Sequence, residues 1–206
     1  MESEAPRRSL FQLAQAHYLR SLERPAAPGL TLAIVTGSLP ELHDRLAEAT
    51  VRLKEAGPLS LKDPRGIYYF DEPLGRSRKV AFLFPGQGSQ RVGMLGELAL
   101  YFPVVRTALE RAAQALHGRL PRALGSYLFP PPAFTEEERR DHKAALTDTR
   151  IAQPALGAAD LAALALLRSL GVDAELLAGH SYGEYVALGA AGVFSESGLL
   201  AVSAER

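Results

Sequence analysis

The stretch ELLAGHSYGEYVAL, Glu175 to Leu188, sets a serine between two glycines, with an apolar run ahead of it and a helix-like run behind. The apolar run predicts a strand, and the residues from Glu184 onward predict a helix. Gly179-x-Ser181-x-Gly183 between them has the spacing of a nucleophile elbow. A bend that sharp leaves no room for a bulky Cβ two residues before or after the serine. It forces the serine backbone into a sparsely populated conformation and lifts its hydroxyl above the sheet. The N–H groups opening the helix, with the positive end of its dipole behind them, then face a place where an oxyanion can form. A plain strand-to-helix turn, with glycines for packing and Ser181 as helix cap, stays open as the alternative.

A second glycine loop lies upstream. Pro85-Gly86-Gln87-Gly88-Ser89-Gln90 follows directly on the apolar run Val80 to Phe84. It is a poor phosphate cradle: G-x-x-x-x-G-K-[ST] is absent, and G-x-G-x-x-G fails at Arg91. A loop presenting backbone N–H groups beside Ser181 is the better use, with a simple type II turn as the bland alternative.

Outward from these loops the 206 residues divide into two textures. In the first, Leu10 to Leu22 predicts a short amphipathic helix with Leu10, Leu13, Ala14 and Tyr18 on one face. ERPAAPG breaks it. LTLAIVTG from Leu30 predicts a buried strand. A helix follows, with Ser38 as N-cap, Pro40 in the first turn, Leu39, Leu42, Leu46, Ala49 and Leu53 on one face, and Gly57 as stop. Gly66 to Phe70 predicts a second strand. This unit, residues 1–78, is small for an independent core.

From Lys79 the apolar strand Val80 to Phe84 opens residues 79–206. Helical patterns follow around Met94 to Leu100, Val104 to Leu116 and Ala155 to Leu170. Thr135 and Glu138 fit a capping box. Strands alternating with helices predict an α/β fold with a parallel sheet covered on both faces.

Composition excludes several chemistries. With no cysteine there is no disulfide, thiolate nucleophile or cysteine-based zinc site. Lys plus Arg and Asp plus Glu are 23 each, so net charge gives no reason to expect nucleic acid or an anionic membrane as partner. The apolar segment Ile151 to Leu167 is interrupted by Gln153 and Asp160, and the start of the chain lacks a signal peptide's apolar region. These features predict a cytoplasmic protein with no membrane span.

The two loops together carry a resemblance. VAFLFPGQGSQRVGM and AGHSYGEYVALGAAGVF, with TRIAQPAL (Thr149 to Leu156) between them, resemble the malonyl-CoA:acyl-carrier-protein transacylase family. That family includes the acyltransferase domains of polyketide synthases and multidomain fatty-acid synthases. The resemblance runs from about Val80 to the last residue. Residues 1–78 resemble, less specifically, the linker joining a ketosynthase to its acyltransferase. The implied architecture is a small α+β linker unit followed by part of an α/β-hydrolase-like acyltransferase core.

The resemblance assigns roles. Ser181 would attack an acyl-CoA thioester and carry the acyl group as an ester, using acyl-CoA as donor and no bound cofactor or metal. The N–H groups of Gln87 and Tyr182 would form the oxyanion hole. Arg206, 25 residues after Ser181, would pair its guanidinium with a malonyl carboxylate; the bland alternative is a solvated terminal side chain. A bulky Tyr182 ring would crowd out an acyl branch, favouring malonyl. His180 and Glu184 are read as packing and as a first-turn acid. His17, His43, His117 and His142 are read as solvent-facing. The expected partners are an acyl carrier protein and a neighbouring ketosynthase. The family's histidine base and its ferredoxin-like subdomain would lie beyond Arg206, so these residues are expected to be the inactive front of an acyltransferase. A non-catalytic scaffold and an esterase or thioesterase are the alternatives.

Overall fold

The computed structural model describes residues 9–23, 30–56, 60–70 and 79–205. The chain divides into two compact units, Met1–Arg78 and Lys79–Arg206.

The first unit holds α1 (Leu10–Glu23), β1 (Thr31–Ile34), α2 (Leu39–Ala56), β2 (Ser60–Asp63) and β3 (Ile67–Phe70). β3 lies between β1 and β2, antiparallel to both, with Ile67 opposite Ile34 on one side and Asp63 on the other. α2 begins as its sequence predicts: the Ser38 hydroxyl accepts from the Glu41 N–H at 3.3 Å. Ala49 on α2 and Ile67 on β3 are fully buried.

β2 was not expected. Ser-Leu-Lys-Asp carries a single apolar residue, so no alternation marks it. It is a strand because a tight turn returns the chain along β3. The Gly66 N–H closes that turn onto the Asp63 carbonyl at 2.9 Å, with φ 109° at Gly66, a value glycine adopts without strain. Asp63 is buried there beside Arg65 (2.6 Å) and Arg52 (3.1 Å). Hydrogen bonds from Arg65 hold its carboxyl well below the usual range. The stabilisation from this lowered value is present above the unfolded carboxyl's range, near pH 4, and fades as pH falls below it.

The second unit holds β4 (Ala81–Phe84), α3 (Gly96–Tyr101), α4 (Pro103–Ala115), α5 (Leu124–Leu128), α6 (Glu136–Thr147), α7 (Thr149–Ser169), β5 (Leu176–Gly179), α8 (Gly183–Ala190) and α9 (Glu196–Ala204). β4 and β5 pair in parallel, as expected, with Ala81 opposite Leu176 and Phe84 opposite Gly179. Both strands therefore end at the same level, and the two glycine loops leave side by side from their carboxyl ends. That is where open α/β sheets place ligands. The capping box at α6 forms as predicted: the Thr135 hydroxyl accepts from the Glu138 N–H at 3.1 Å, and Glu138 accepts from the Thr135 N–H at 3.0 Å.

α7 is the core helix. Residues Ile151 to Ala159 are all buried, against α4 and α9 among others. It starts six residues before the expected Ala155 and runs through Pro154. Asp148 caps it by accepting from the Arg150 N–H at 3.0 Å. The proline removes one helical hydrogen bond near the start, which burial of the whole first half offsets. α7 is long and apolar enough to span a membrane, but 72% of its apolar window is buried inside the protein.

Covering of both sheet faces is not met among the described residues: Leu83 on β4 is 78% exposed and Leu176 on β5 is 53% exposed. Among the described residues this sheet has two strands of four residues each, and Ala81, Leu83, Leu176 and Ala178, which share one face by their register, are all exposed, so one face is covered and the other is not. Beside β4 runs an apolar cleft lined by Phe82, Phe84, Ala163, Leu164, Leu167 and the carboxyl of Asp160. The Asp160 Oδ2 has no hydrogen-bond partner among the described residues, and burial pushes its pKa up to about 7.

That carboxyl makes stability fall as pH rises. Between about pH 4 and 7 the folded form keeps the proton that the unfolded form has released, so each pH unit costs about 1.4 kcal/mol. Chemical denaturation at pH 5, 6, 7 and 8 is expected to show this decline in the wild type. Asp160→Asn is expected to flatten it and to be the more stable protein at pH 8.

Candidate active site

Ser181 sits at the bend between β5 and α8 with φ 55°, in the left-handed region that side-chain-bearing residues rarely adopt. Its residue is exposed, and among the described residues its hydroxyl has no hydrogen-bond partner. The predicted elbow is therefore present, with the strain its spacing implies.

Both flanking glycines are required by contact. A Cβ on Gly179 would run into the backbone of Gly183 and Glu184. A Cβ on Gly183 would run into the Phe84 carbonyl and come within 2.8 Å of the Pro85 oxygen. Helix α8 thus begins hard against the end of β4. The bend is tied down by the His180 N–H donating to the Phe84 oxygen at 3.0 Å and the Glu184 N–H donating to the Ser181 oxygen at 3.1 Å.

The loop Pro85–Gln90 abuts the elbow. A Cβ on Gly86 would overlap the His180 oxygen and lie 3.0 Å from the Ser181 Cβ. One residue on, the backbone N–H of Gln87 has no hydrogen-bond partner among the described residues. The loop is fixed from within: the Gly88 N–H donates to Gln90 Oε1 at 2.7 Å, and the Ser89 hydroxyl donates to the Gly86 oxygen at 2.8 Å. The Gln87 side chain donates to the Thr149 hydroxyl at 3.0 Å, anchoring the loop to the first residue of α7.

Tyr182 contributes its backbone to the start of α8 and turns its ring into the core, where it is 3% exposed. The ring stacks on Tyr185 and its hydroxyl lies 2.6 Å from the Ser203 hydroxyl. His180 is exposed rather than packed inside, with its Nδ1 beside Gly86, and Glu184 is an exposed first-turn acid of α8. Arg206 lies outside the described residues. Of the expected site residues, the fold brings Gln87, Ser181 and the Tyr182 backbone to one end of the sheet. His17, His43 and His117 are exposed as expected; His142 is half-buried on α6.

Two residues of α7 had no role in the sequence reading. Thr149, which holds Gln87, carries no periodic signal. Gln153, one turn further along α7, is 8% exposed, and its Oε1 has no partner among the described residues. Its burial depends on α7 extending back through Pro154.

A nucleophile on a strained bend, a glycine loop against it and a parallel sheet beneath match a known pattern. Residues 81–206 fit the family described as "Acyl transferase domain". The chain belongs to the acyl transferase domain family. It is 42% identical over 185 residues to the polyketide synthase GfsA of Streptomyces halstedii, a match covering 89% of this chain and 2% of that protein. It is 41% identical over 117 residues to the malonyl CoA-acyl carrier protein transacylase of Bacillus subtilis, covering 57% and 32% respectively. In fold it is similar to the solved acyl transferase domain of ZmaA, with TM-score 0.63 at 23% identity, over 88% of this chain and 48% of that one. This acyl transferase chain thus spans a small part of a polyketide synthase and about a third of a free-standing transacylase. The GfsA match is longer than the acyl transferase region itself, so it extends into the first unit.

Proposed function

We propose that the polypeptide carrying this chain moves a malonyl or related acyl group from CoA to the phosphopantetheine thiol of an acyl carrier protein. The observation that supports this best is the exposed Ser181 hydroxyl at φ 55°, with the Gly86–Gln87 loop packed against its bend. Ser181 Oγ attacks the thioester carbonyl, the carbon–sulfur bond breaks, and CoA leaves as its thiol with the serine proton. The developing oxyanion is met by the N–H groups of Gln87 and Tyr182. The carrier thiol then attacks the seryl ester and restores the hydroxyl. A serine needs a base to attack efficiently. Among the described residues no side chain hydrogen-bonds to the hydroxyl. Arg206 takes the malonyl carboxylate as a two-pronged ion pair.

Residues 1–78 act as a linker from a neighbouring ketosynthase to the acyl transferase region. The fold likeness over 88% of the chain and the long polyketide synthase match support this. The protein works in the cytoplasm without a bound cofactor.

The test is incubation with labelled malonyl-CoA followed by peptide mass analysis, then addition of a carrier thiol. Label on the peptide holding Ser181, transferred faster to thiol than to water, is the expected result. Label on another residue overturns the proposal. Release to water alone points to an esterase.

A further inference from the structure

The Gln87 loop leaves the elbow through Arg91, the residue that spoils its glycine pattern as a phosphate cradle. Beside this exit lies a cleft of about 340 Å³, within the range of small-molecule sites. Val92 and the run from Pro130 to Ala133 give it an apolar wall. Basic side chains line the rest: Arg91, and from α6 Arg139, His142 and Lys143. The α6 residues stand at i, i+3 and i+4, so one face of that helix carries all three. Arg139 is paired with Glu136, and the Glu138 carboxylate is taken up by the N–H groups of Phe134 and Thr135. Arg91 and Lys143 are exposed and have no ion-pair partner among the described residues. Gln90 belongs to both places: it lines the cleft, and its Oε1 accepts from the Gly88 N–H at 2.7 Å.

We propose that this cleft binds the nucleotide end of the CoA donor, with Arg91 and Lys143 on its phosphates and the proline wall under its adenine. CoA ends in an adenosine bearing a 3′-phosphate and a 5′-diphosphate, several negative charges beside one flat apolar ring. An apolar wall edged by exposed, uncommitted cations matches that combination. An arginine fork pairs two phosphate oxygens at once, and a lysine adds a mobile point charge. The whole chain has no net charge, so the attraction is local to this cleft. The position agrees as well. The Cβ position of Gly86 lies 3.0 Å from the Ser181 Cβ, and Arg91 is five residues further on, at most about 18 Å of chain. A pantetheine arm covers a similar span, so phosphates held here let the thioester reach the serine. The inference rests on the reading that acyl-CoA is the donor.

The experiment follows Ser181 acylation of the full polypeptide carrying these residues against donor concentration. It uses malonyl-CoA and malonyl-pantetheine, which lacks the nucleotide. Calorimetry measures binding of adenosine 3′,5′-bisphosphate alongside. Arg91→Ala and Lys143→Ala are each expected to raise the half-saturating malonyl-CoA concentration about tenfold, the effect of losing one charged hydrogen bond. Each is expected to weaken bisphosphate binding by a similar factor and to leave acylation from malonyl-pantetheine unchanged. Arg91→Lys is expected to recover part of the loss, keeping the charge without the fork. An equal loss with both donors overturns the site, since the substitutions then act on the loop. An unchanged malonyl-CoA response overturns it too. Slower transfer to a carrier protein, with the malonyl-CoA response unchanged, gives the cleft to the carrier instead. A wild type that binds the bisphosphate through Arg91 and Lys143, yet takes an acyl group from neither donor, keeps the nucleotide site and overturns the transferase reading. A wild type that does neither overturns both.

Discussion

Ser181→Ala is expected to abolish the covalent acyl adduct, with transfer to a carrier thiol falling on the order of 10³-fold or more. On the proposed mechanism the hydroxyl is the group that bonds the acyl, and Ser181 stands exposed on the bend. The loop against it, fixed through Gln90, Ser89 and Thr149, is expected to stay in place, so the variant keeps the Gln87 and Tyr182 N–H groups proposed as oxyanion donors and loses only the proposed nucleophile. Removing an exposed oxygen with no hydrogen bond costs little stability. The variant is therefore expected to melt within about 2 °C of wild type. Mass analysis after incubation with labelled malonyl-CoA checks the first expectation and thermal denaturation the second. Undiminished labelling of the alanine variant would show that another residue is the acceptor.

Gly183→Ala is expected to be a strongly damaging small change to the fold. Its Cβ meets the Phe84 carbonyl, the Phe84 carbon at 2.7 Å and the Pro85 oxygen at 2.8 Å, all backbone atoms that no rotamer change can move away. Relief requires α8 to draw back from the end of β4, which opens the bend holding Ser181. Overpacking against rigid neighbours costs about 3 kcal/mol, lowering the melting temperature on the order of 10 °C in a unit of this size. Acylation is expected to fall with it, since the Gln87 loop and the serine no longer share a floor. Gly88 is the internal control: nothing lies within 4 Å of the Cβ position there, although its φ of 110° adds backbone strain. Gly88→Ala is expected to lose less stability than Gly183→Ala, and equal losses would show that contact with β4 is not what the elbow glycine serves.

The elbow was legible because its demands are local. A bend that brings residues 179 and 183 into backbone contact forbids side chains at both, so the chemistry of the turn is written in the glycines themselves. The same holds for the caps at Ser38 and Thr135, where one hydroxyl and one N–H three residues on suffice. β2 was not legible, since Ser60–Asp63 is a strand only through its neighbour β3. The first turns of α7 were hidden behind Pro154, because local propensity argues for a break and only burial overrides it.

By itself the sequence determined where the chain bends, which serine stands on the bend and which glycine loop shares its end of the sheet. Glycine spacing and apolar runs constrain the backbone within a few residues. Only the tertiary structure decided that the Tyr182 ring turns inward to Ser203 rather than toward the acyl group, and that Thr149 holds Gln87. Only it showed that Asp160 lies in an apolar cleft beside β4. Each of these joins elements far apart in the chain, and side-chain direction across such distances is set by packing, which no local pattern records.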